Sequence, residues 1–356
     1  MTDYRALLRE LAVPRLVGSV SHARVVDTLK RELAQRGFSI TEQRFKASPA
    51  SLAVVGYGGT LLALVGLSGV VFPLVGEPAV AARVLVVLGG LFLLWAVTPQ
   101  RRELLSHMGM RDTGATNLVA TRGSSPVAVW LVAHYDAKGQ PISMATRLYA
   151  VALAGIGGAA LVALAAGHFA GAGFSARTWI FASLPAVVGG GLLIGNTWFR
   201  DSPGAVDNAS GIIAALAVID RLPSDAAVGL ILPDAEEFGL VGAKTLVRER
   251  SELFRDTAVV NFDGIDDRGG TIAFVHRPGP VVDAVVAALG ARRFRVLPVV
   301  VDGLVLARAA RECVTILKGN WDTARIVHTP RDTAERLTLE GVAEVARGVA
   351  GALRDR

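Results

Sequence analysis

The sequence contains a single cysteine, Cys313, in 356 residues. One thiol can form neither a disulfide within the chain nor a thiolate metal cluster, so both are excluded. A reducing compartment is allowed, although it is not required. Tyrosine is also scarce: none of the four tyrosines follows Tyr149. A phenol is therefore missing from the whole carboxyl-terminal part of the chain.

Charged residues are few as well. They make up 19% of the chain against 52% hydrophobic residues, and the mean hydropathy is +0.46. These values are unlike those of a purely soluble enzyme and indicate that part of the chain lies in lipid. The net charge is +6, but the arginines are scattered and no basic run interleaves with aromatic residues. This pattern argues against a nucleic-acid partner.

Four long segments account for the excess of apolar residues. They are residues 47–76, 84–100, 148–176 and 178–199. A buried core helix rarely needs more than about 14 unbroken apolar residues, whereas a bilayer needs about 20. The sequence therefore predicts four transmembrane helices in two hairpins, 47–100 and 148–199, with a lipid bilayer as partner.

Two hairpins return the chain to the same side of the membrane, so all polar portions share one face. The basic residues that flank the spans on that face are Arg44, Lys46, Arg101, Arg102, Arg147 and Arg200. The short opposite loops offer only Arg83 and Arg177. This bias places the polar portions in the cytoplasm. No cleaved signal is expected in MTDYRALLRELAVPR, and the predicted location is the plasma membrane of a prokaryote.

The polar remainder, residues 1–46, 101–147 and 200–356, is predicted to form one domain. An amino-terminal helix containing Leu29 and Leu33 ends at Gly37. Strands are predicted at residues 38–45, 116–121, 127–133, 228–233, 258–262, 299–301 and 314–317. Strands that alternate with helices favour an α/β fold with a largely parallel or mixed sheet and helices on both faces.

The first chemical motif closes one of these strands. VAVWLVAHYD ends in His134 and Asp136, which are two residues apart, so both side chains of an extended segment point to one face. One can bind a metal ion while the other orients that ring or a second ligand. His-x-Asp alone is weak support, because an ordinary polar strand end has the same pattern.

Two acidic motifs follow. Asp207 in GAVDNASG precedes a helix, where a carboxylate can bridge two cations or simply cap the helix. Glu236 and Glu237 in LILPDAEEFG follow a buried strand. One of them can bind metal while the other takes a proton from water, or both can belong to a solvated turn.

Two further motifs complete the set. VVNFDGID supplies Asp263, and RIVHTPRDT supplies His328, with Asp332 close behind to hold the ring. Two imidazoles, several carboxylates and no thiolate form a hard nitrogen and oxygen set. Such a set suits Zn²⁺, Mn²⁺ or Co²⁺.

The elements AHYD, GAVDNASG, DAEEFGLVGA, NFDG and VHTPRDT, in this order, resemble the M28 family of zinc aminopeptidases and carboxypeptidases. LAVPRLVGSVSH, TNLVA and FSITEQRF are similar to the amino-terminal region of that family. The resemblance covers nearly all of the chain outside the hairpins. It implies a three-layer α/β/α sandwich around a mixed central sheet, the zinc-peptidase fold.

The resemblance also implies a role for each residue. The implied zinc ligands are His134 and Asp263 in one site and Glu237 and His328 in the other, with Asp207 shared. Glu236 would be the general base, and Asp136 would support the metal cluster. The peptide bond between Asp207 and Asn208 would be cis.

The implied function is a membrane-anchored di-zinc aminopeptidase that removes amino-terminal residues from peptides. HYDAK also resembles the glutaminyl cyclase branch, which uses one zinc. A cyclase or other amidohydrolase and a catalytically silent receptor or scaffold are the alternatives. No feature of the sequence indicates an oligomeric partner.

Two departures from the family bear on the substrate. Several relatives stabilise the oxyanion with a tyrosine between the last two motifs, where this chain has none. The residues that could substitute are His276, Asn320, Trp321 and Arg325. The second hairpin lies between His134 and Asp207, which predicts a site near the membrane surface and a membrane-associated or amphipathic peptide substrate.

Overall fold

The chain divides into two units in a computed structural model that describes residues 3–97, 112–123, 126–194 and 201–354. The first unit comprises Met1–Ala47, Thr113–Gly139 and Phe199–Arg356, and the second comprises Ser48–Asp112 and Gln140–Trp198. The second unit thus interrupts the first at two places in the sequence. The predicted boundaries near residues 100 and 200 lie outside the described residues, and the domain division stays a prediction.

The described strands of the first unit form one eight-stranded sheet. They are β1 (Ser39–Ala47), β2 (Thr113–Thr121), β3 (Val129–Val132), β4 (Val228–Leu232), β5 (Ala258–Ile265), β6 (Gly270–Arg277), β7 (Arg292–Phe294) and β8 (Glu312–Gly319). Their order is β1-β2-β4-β3-β5-β8-β6-β7. The inner strands β4, β3, β5 and β8 are parallel, whereas β1 pairs with β2, β2 with β4, and β6 with β8 in antiparallel fashion. The predicted α/β fold with a mixed sheet is confirmed.

One predicted strand is wrong and two strands were missed. Residues 299–301 pair with no described strand, and Val300 is exposed. Three valines favour an extended backbone, but a strand also needs a partner to pack against. The missed strands are β6 and β7, whose residues pair at one edge of the sheet.

The helices are, in chain order, α1 (Tyr4–Leu11), α2 (Val20–Gln35), α3 (Ala50–Leu74), α4 (Pro78–Val97), α5 (Met144–Phe169), α6 (Ala176–Ile194), α7 (Gly211–Ile219), α8 (Val241–Glu249), α9 (Pro280–Ala288), α10 (Gly303–Leu306), α11 (Trp321–Ile326) and α12 (Glu340–Arg354). Helices α3 to α6 belong to the second unit. The others belong to the first unit, where they pack on the sheet or on one another.

Successive side chains of the central strands face two different cores, because side chains alternate along a strand. Leu131 of β3 lies in one core together with residues of α2, α7 and α12. Its neighbours Trp130 and Val132 lie in the other core, with residues of α8 and α10. Helices therefore cover both faces of the sheet. Every residue of α7 is buried, which fixes the helix that follows Asp207.

Among the described residues of the second unit, three helices have the length and composition to cross a membrane. The segments are Gly56–Leu74 in α3, Met144–Phe169 and Ala176–Ile194. The apolar stretch found in α4, Pro78–Phe92, is shorter. Four transmembrane helices are therefore not confirmed, and the fourth stays a prediction. Arg101, Arg102 and Arg200, which belong to the predicted flanking charges, lie outside the described residues.

Helices α5 and α6 approach each other closely at two glycines. A Cβ atom on Gly157 would lie 2.2 Å from the backbone nitrogen of Ala186, and one on Gly189 would lie 2.4 Å from that of Ala154. No side chain fits at either position unless the helices move apart. Small residues are the usual means by which lipid-embedded helices pack closely.

We expect Gly157→Leu to force α5 and α6 apart and to lower the stability of the second unit by about 1–3 kcal/mol, as overpacking does. The measurement is the thermal unfolding midpoint in detergent. Gly155→Leu is the matched control, because nothing lies within 4 Å of a Cβ atom at Gly155 on the same helix. Equal midpoints for the two variants would show that the close approach is not required.

Candidate metal centre

Four of the predicted site residues lie at or near the carboxyl ends of three neighbouring parallel strands. His134 follows β3, and Glu236 and Glu237 follow β4. Asp263 lies inside β5, at the irregularity between Phe262 and Ile265 where the pairing with β8 shifts. Such a bulge re-aims a side chain. Because carboxyl ends of parallel strands meet at one edge, the three segments present their side chains to a common space.

Five predicted residues form two overlapping groups of potential metal ligands. The groups are His134, Asp207 and Asp263, and Asp207, Glu237 and His328. Within each group the ligand atoms lie within 4.8 Å of one another. Asp207 belongs to both groups.

The carboxylate of Asp207 faces two imidazoles. Its Oδ1 atom lies 3.1 Å from Nε2 of His134, and its Oδ2 atom lies 2.9 Å from Nε2 of His328. Oδ1 of Asp263 lies 3.9 Å from the same nitrogen of His134, and Oε1 of Glu237 lies 3.2 Å from that of His328. Each oxygen of Asp207 thus belongs to a different donor group.

Two of these buried oxygens, Oδ1 of Asp207 and Oε1 of Glu237, lie beside imidazole nitrogens but accept no well-aligned hydrogen bond. A buried carboxylate oxygen without a donor is costly. A divalent cation would satisfy such an oxygen, and nitrogen and oxygen donors suit zinc, manganese or cobalt. The residues present therefore fit two cations that share one carboxylate.

Asp207 stands in an irregular turn, Ala205–Ser210, in which Asp207 and Asn208 have non-helical dihedral angles. The peptide bond between them is cis, which confirms the prediction. The side chain of Asn208 donates to the carbonyl of Phe262 at 2.9 Å and accepts from the backbone N–H of Gly264 at 3.2 Å. These two bonds tie the Asp207 turn to β5 on both sides of Asp263.

Asp332 holds the same turn from another direction. Its carboxylate accepts the backbone N–H groups of Val206 at 2.7 Å and Asp207 at 3.2 Å. Burial raises the pKa of Asp332 to about 7. The described hydrogen bonds of Asp332 thus position the shared carboxylate, while its predicted contact with the His328 ring stays a prediction.

Asp136 links His134 to the two glutamates. Its oxygens accept the backbone N–H groups of Glu236 and Glu237, both at 3.1 Å. Its Oδ1 atom also lies 3.6 Å from Nδ1 of His134. This buried carboxylate can therefore orient a ligand on one strand end and two acids on the next.

Glu236 is buried among other acids. Burial raises its pKa well above the usual range, and the carboxylates of Glu237, Asp302 and Asp263 add to this, while His134 opposes it. A carboxylate with a raised pKa accepts a proton more readily near neutral pH. Cations held by the neighbouring ligands would favour its ionised form, in which it can act as a general base.

Lys138 is a site residue that the sequence did not reveal. Its Nζ atom lies 2.6 Å from Oε2 of Glu237, and both side chains are buried. Burial favours a raised pKa for Glu237, but His328 and Lys138 outweigh it and hold the value at about 2. The HYDAK motif includes this lysine, but only the fold shows that its partner is Glu237.

Asp302 is a second residue that was missed. It is fully buried, and neither carboxylate oxygen has a hydrogen-bond partner. Burial raises its pKa to about 7, with His134 opposing and Asp136 and Asp263 adding to the increase. It is therefore part of the electrostatic environment of the site. The sequence VVVDGLV carries no signal of this, since Asp-Gly is ordinary in turns.

The four residues that could substitute for the tyrosine lie in different surroundings. Asn320 caps α11 by accepting two backbone N–H groups, and Arg325 forms an exposed ion pair within that helix. Trp321 is 41% exposed. His276 lies inside the first unit, with Nε2 2.8 Å from Oγ1 of Thr315, and burial lowers its pKa to about 4. A neutral imidazole is therefore present at neutral pH.

The sequence model of peptidase family M28 matches residues 117–353. The chain belongs to peptidase family M28. It is a metallopeptidase, as the resemblance of its motifs predicted. Among curated proteins, none matches this chain.

Solved structures share the fold of this M28 peptidase. The aminopeptidase from Aneurinibacillus sp. strain AM-1 is 14% identical with a TM-score of 0.55, covering 98% of this chain and 92% of that one. A Zn-dependent exopeptidase from Parabacteroides distasonis is 13% identical with a TM-score of 0.57, covering 99% and 97%. The Fimbriiglobus ruber glutaminyl cyclase is 14% identical with a TM-score of 0.53, covering 99% and 94%. At such identities the similarity shows the fold alone.

We expect Asp302→Asn to stabilise the metal-free protein at pH 7 and to lose most of this advantage at pH 5. The pKa of Asp302 is 3.8 in the unfolded chain, and burial raises it to about 7 in the folded protein. The contribution of wild-type Asp302 to stability is therefore fully present below pH 3.8 and is lost as the pH rises to about 7. The difference in unfolding free energy between Asp302→Asn and the wild type should shrink by about 2 kcal/mol between pH 7 and pH 5.

The measurement is denaturant unfolding with a chelator present. Asp256→Asn, at an exposed position of the same unit, is the control. A gap for Asp302→Asn that is the same at both pH values would contradict the assigned pKa.

Proposed function

We propose that this M28 metallopeptidase is a membrane-anchored di-zinc aminopeptidase. The observation that carries the proposal is the carboxylate of Asp207, whose two oxygens face His134 at 3.1 Å and His328 at 2.9 Å. A carboxylate shared in this way fits two metal ions better than one. Peptides are the substrates that membership of the family implies.

Five side chains would hold the metals. They are His134 and Asp263 for one ion, Glu237 and His328 for the other, and Asp207 for both. Zinc is favoured, with manganese or cobalt compatible with the same donors. When bound, the metals supply Lewis acidity and lower the pKa of water in the site.

Glu236 would act as the general base. It takes a proton from the water that attacks the peptide carbonyl and returns it to the amine of the leaving group. Its buried surroundings raise its affinity for that proton. Asp136 holds the backbone of Glu236 and Glu237, so it positions the base relative to the metal ligand beside it.

The apolar helices support membrane anchoring. Three of them are long enough to span a bilayer, and the predicted fourth, α4, would complete two hairpins. The excess of basic residues on one side of the spans favours a cytoplasmic peptidase domain at the plasma membrane of a prokaryote. We propose membrane-associated or amphipathic peptides as substrates; equal cleavage of soluble dipeptides and bilayer-bound peptides would contradict this.

We expect Glu236→Gln to keep its zinc and to lower kcat by about a thousandfold, because the amide cannot accept the proton. The measurements are zinc content by atomic absorption and turnover of fluorogenic aminoacyl substrates. Glu252→Gln, whose side chain is 60% exposed, is the control. An unchanged kcat for Glu236→Gln would remove Glu236 from the mechanism.

We expect Asp207→Ala to lower the zinc content itself, since both metal sites lose a ligand. Metal analysis of the purified full-length protein measures this directly. The bridging role fails if the variant retains two zinc ions per chain.

Glutaminyl cyclisation is the second candidate function. It is favoured by the fold shared with the Fimbriiglobus ruber glutaminyl cyclase and by the HYDAK motif, whose Lys138 pairs with Glu237. Zinc stoichiometry and a substrate panel separate the two functions. Two zinc ions with hydrolysis of aminoacyl substrates support the peptidase. One zinc ion with ammonia release from amino-terminal glutamine supports the cyclase. The absence of both activities supports a silent scaffold.

A further inference from the structure

Arg15 is a buried cation that lies before the segment matched by the family. Its side chain is fully buried and donates hydrogen bonds to backbone carbonyls. Nε donates to Tyr135 at 2.7 Å, Nη1 to Leu11 at 2.9 Å and Pro203 at 2.5 Å, and Nη2 to Gly204 at 3.0 Å. One guanidinium thus joins three separate segments of the chain.

Two of these segments carry proposed metal ligands. Tyr135 stands between His134 and Asp136, and Gly204 lies three residues before Asp207. The backbone carbonyl of Arg15 also accepts the N–H of Ala137 at 3.3 Å. Arg15 therefore contacts the backbone next to His134 and the backbone just before Asp207. These contacts lie on either side of the sequence that separates the two proposed ligands.

The chain between these contacts leaves the first unit. Gln140–Trp198 belongs to the second unit, and the first unit resumes at Phe199. His134 and Asp207 are thus close in space but separated by a long insertion of apolar helices. No short stretch of chain connects these two residues and holds them at a fixed distance. Contacts within the first unit must therefore do so.

Apart from the contact between the Asp207 carboxylate and the His134 ring, the described hydrogen bonds that Asn208 and Asp332 make do not reach the strand end that bears His134. Asn208 ties the turn to the backbone of β5, and Asp332 binds the N–H groups of Val206 and Asp207. These contacts position Asp207 relative to Asp263 and the His328 segment. The guanidinium of Arg15 adds the connection to the strand end that bears His134.

We propose that Arg15 is a positioning residue that sets His134 relative to Asp207 across the insertion and thereby strengthens one of the two metal sites. The inference rests on the proposed two-metal function. Loss of the guanidinium weakens the site of His134, Asp207 and Asp263. The site of Glu237 and His328 keeps its affinity, because Asp207 retains its other bonds.

The test measures Zn²⁺ binding to the full-length protein in detergent, by competition with a chromophoric chelator. We expect Arg15→Met to raise the Kd of one site by about tenfold or more, the usual effect of removing a residue that orients a ligand. The other Kd should change by less than about threefold, since its ligands keep their described support. Arg15→Lys should be intermediate, because an ammonium lacks the planar fork of donors.

Two comparisons make the result specific. In a His134→Ala background, Arg15→Met should leave the Kd of the remaining site unchanged. Arg36→Met is the matched control: Arg36 is a buried cation paired with Glu32 and Asp220. Its removal should lower the unfolding midpoint and leave both Kd values unchanged.

One outcome would contradict the proposal: Arg15→Met lowers the unfolding midpoint, as Arg36→Met does, but leaves both Kd values at the wild-type level. Arg15 would then have only a structural role. If Arg15→Met does not fold, Arg15→Lys and Arg15→Gln carry the test, and wild-type Kd values in both overturn the proposal. A wild-type protein that binds a single zinc ion overturns the two-metal function instead. In that case Arg15 keeps its positioning role if Arg15→Lys raises the Kd of that one site above the wild-type value, and loses it if the two values are equal.

Discussion

Mutual repulsion among buried carboxylates is the constraint on which the first unit depends. The acids gathered at the carboxyl edge of the sheet are the buried Asp136, Asp207, Glu236, Glu237, Asp302 and Asp332 and the half-buried Asp263. Burial strengthens their repulsion, because charges interact more strongly away from water. Lys138, Arg15 and the two histidines supply the opposing charge within the chain. Divalent metal ions would supply the remainder.

The backbone around these acids is arranged to hold them. Asp136 and Asp332 each accept two main-chain N–H groups from neighbouring site segments, so the acids position one another through the backbone. Ala235 and His328 adopt left-handed conformations, with φ of 55° and 64°. Such conformations cost roughly 1–3 kcal/mol each and persist where surrounding contacts enforce them. Both lie directly at proposed metal-site residues.

Much of the fold and of the metal set could be predicted, because each part has a local signal. The apolar strands that lead to His134, Glu237 and Asp263 are visible in short stretches of sequence. Residues 299–301 show the limit of such signals, since valines favour a strand that finds no described partner there. Arg15, Lys138 and Asp302 were missed because each looks like an ordinary polar residue until the fold buries it.

The sequence by itself determined the chemical nature and the order of the candidate ligands, and the placement of three of them at or near strand ends, because these properties depend on a few neighbouring residues. Tertiary structure alone decided that one carboxylate faces two imidazoles, that Lys138 neutralises part of Glu237, and that Arg15 spans the insertion. These contacts join residues far apart in the chain. They arise only when the parallel strands bring their carboxyl ends to one edge of the sheet.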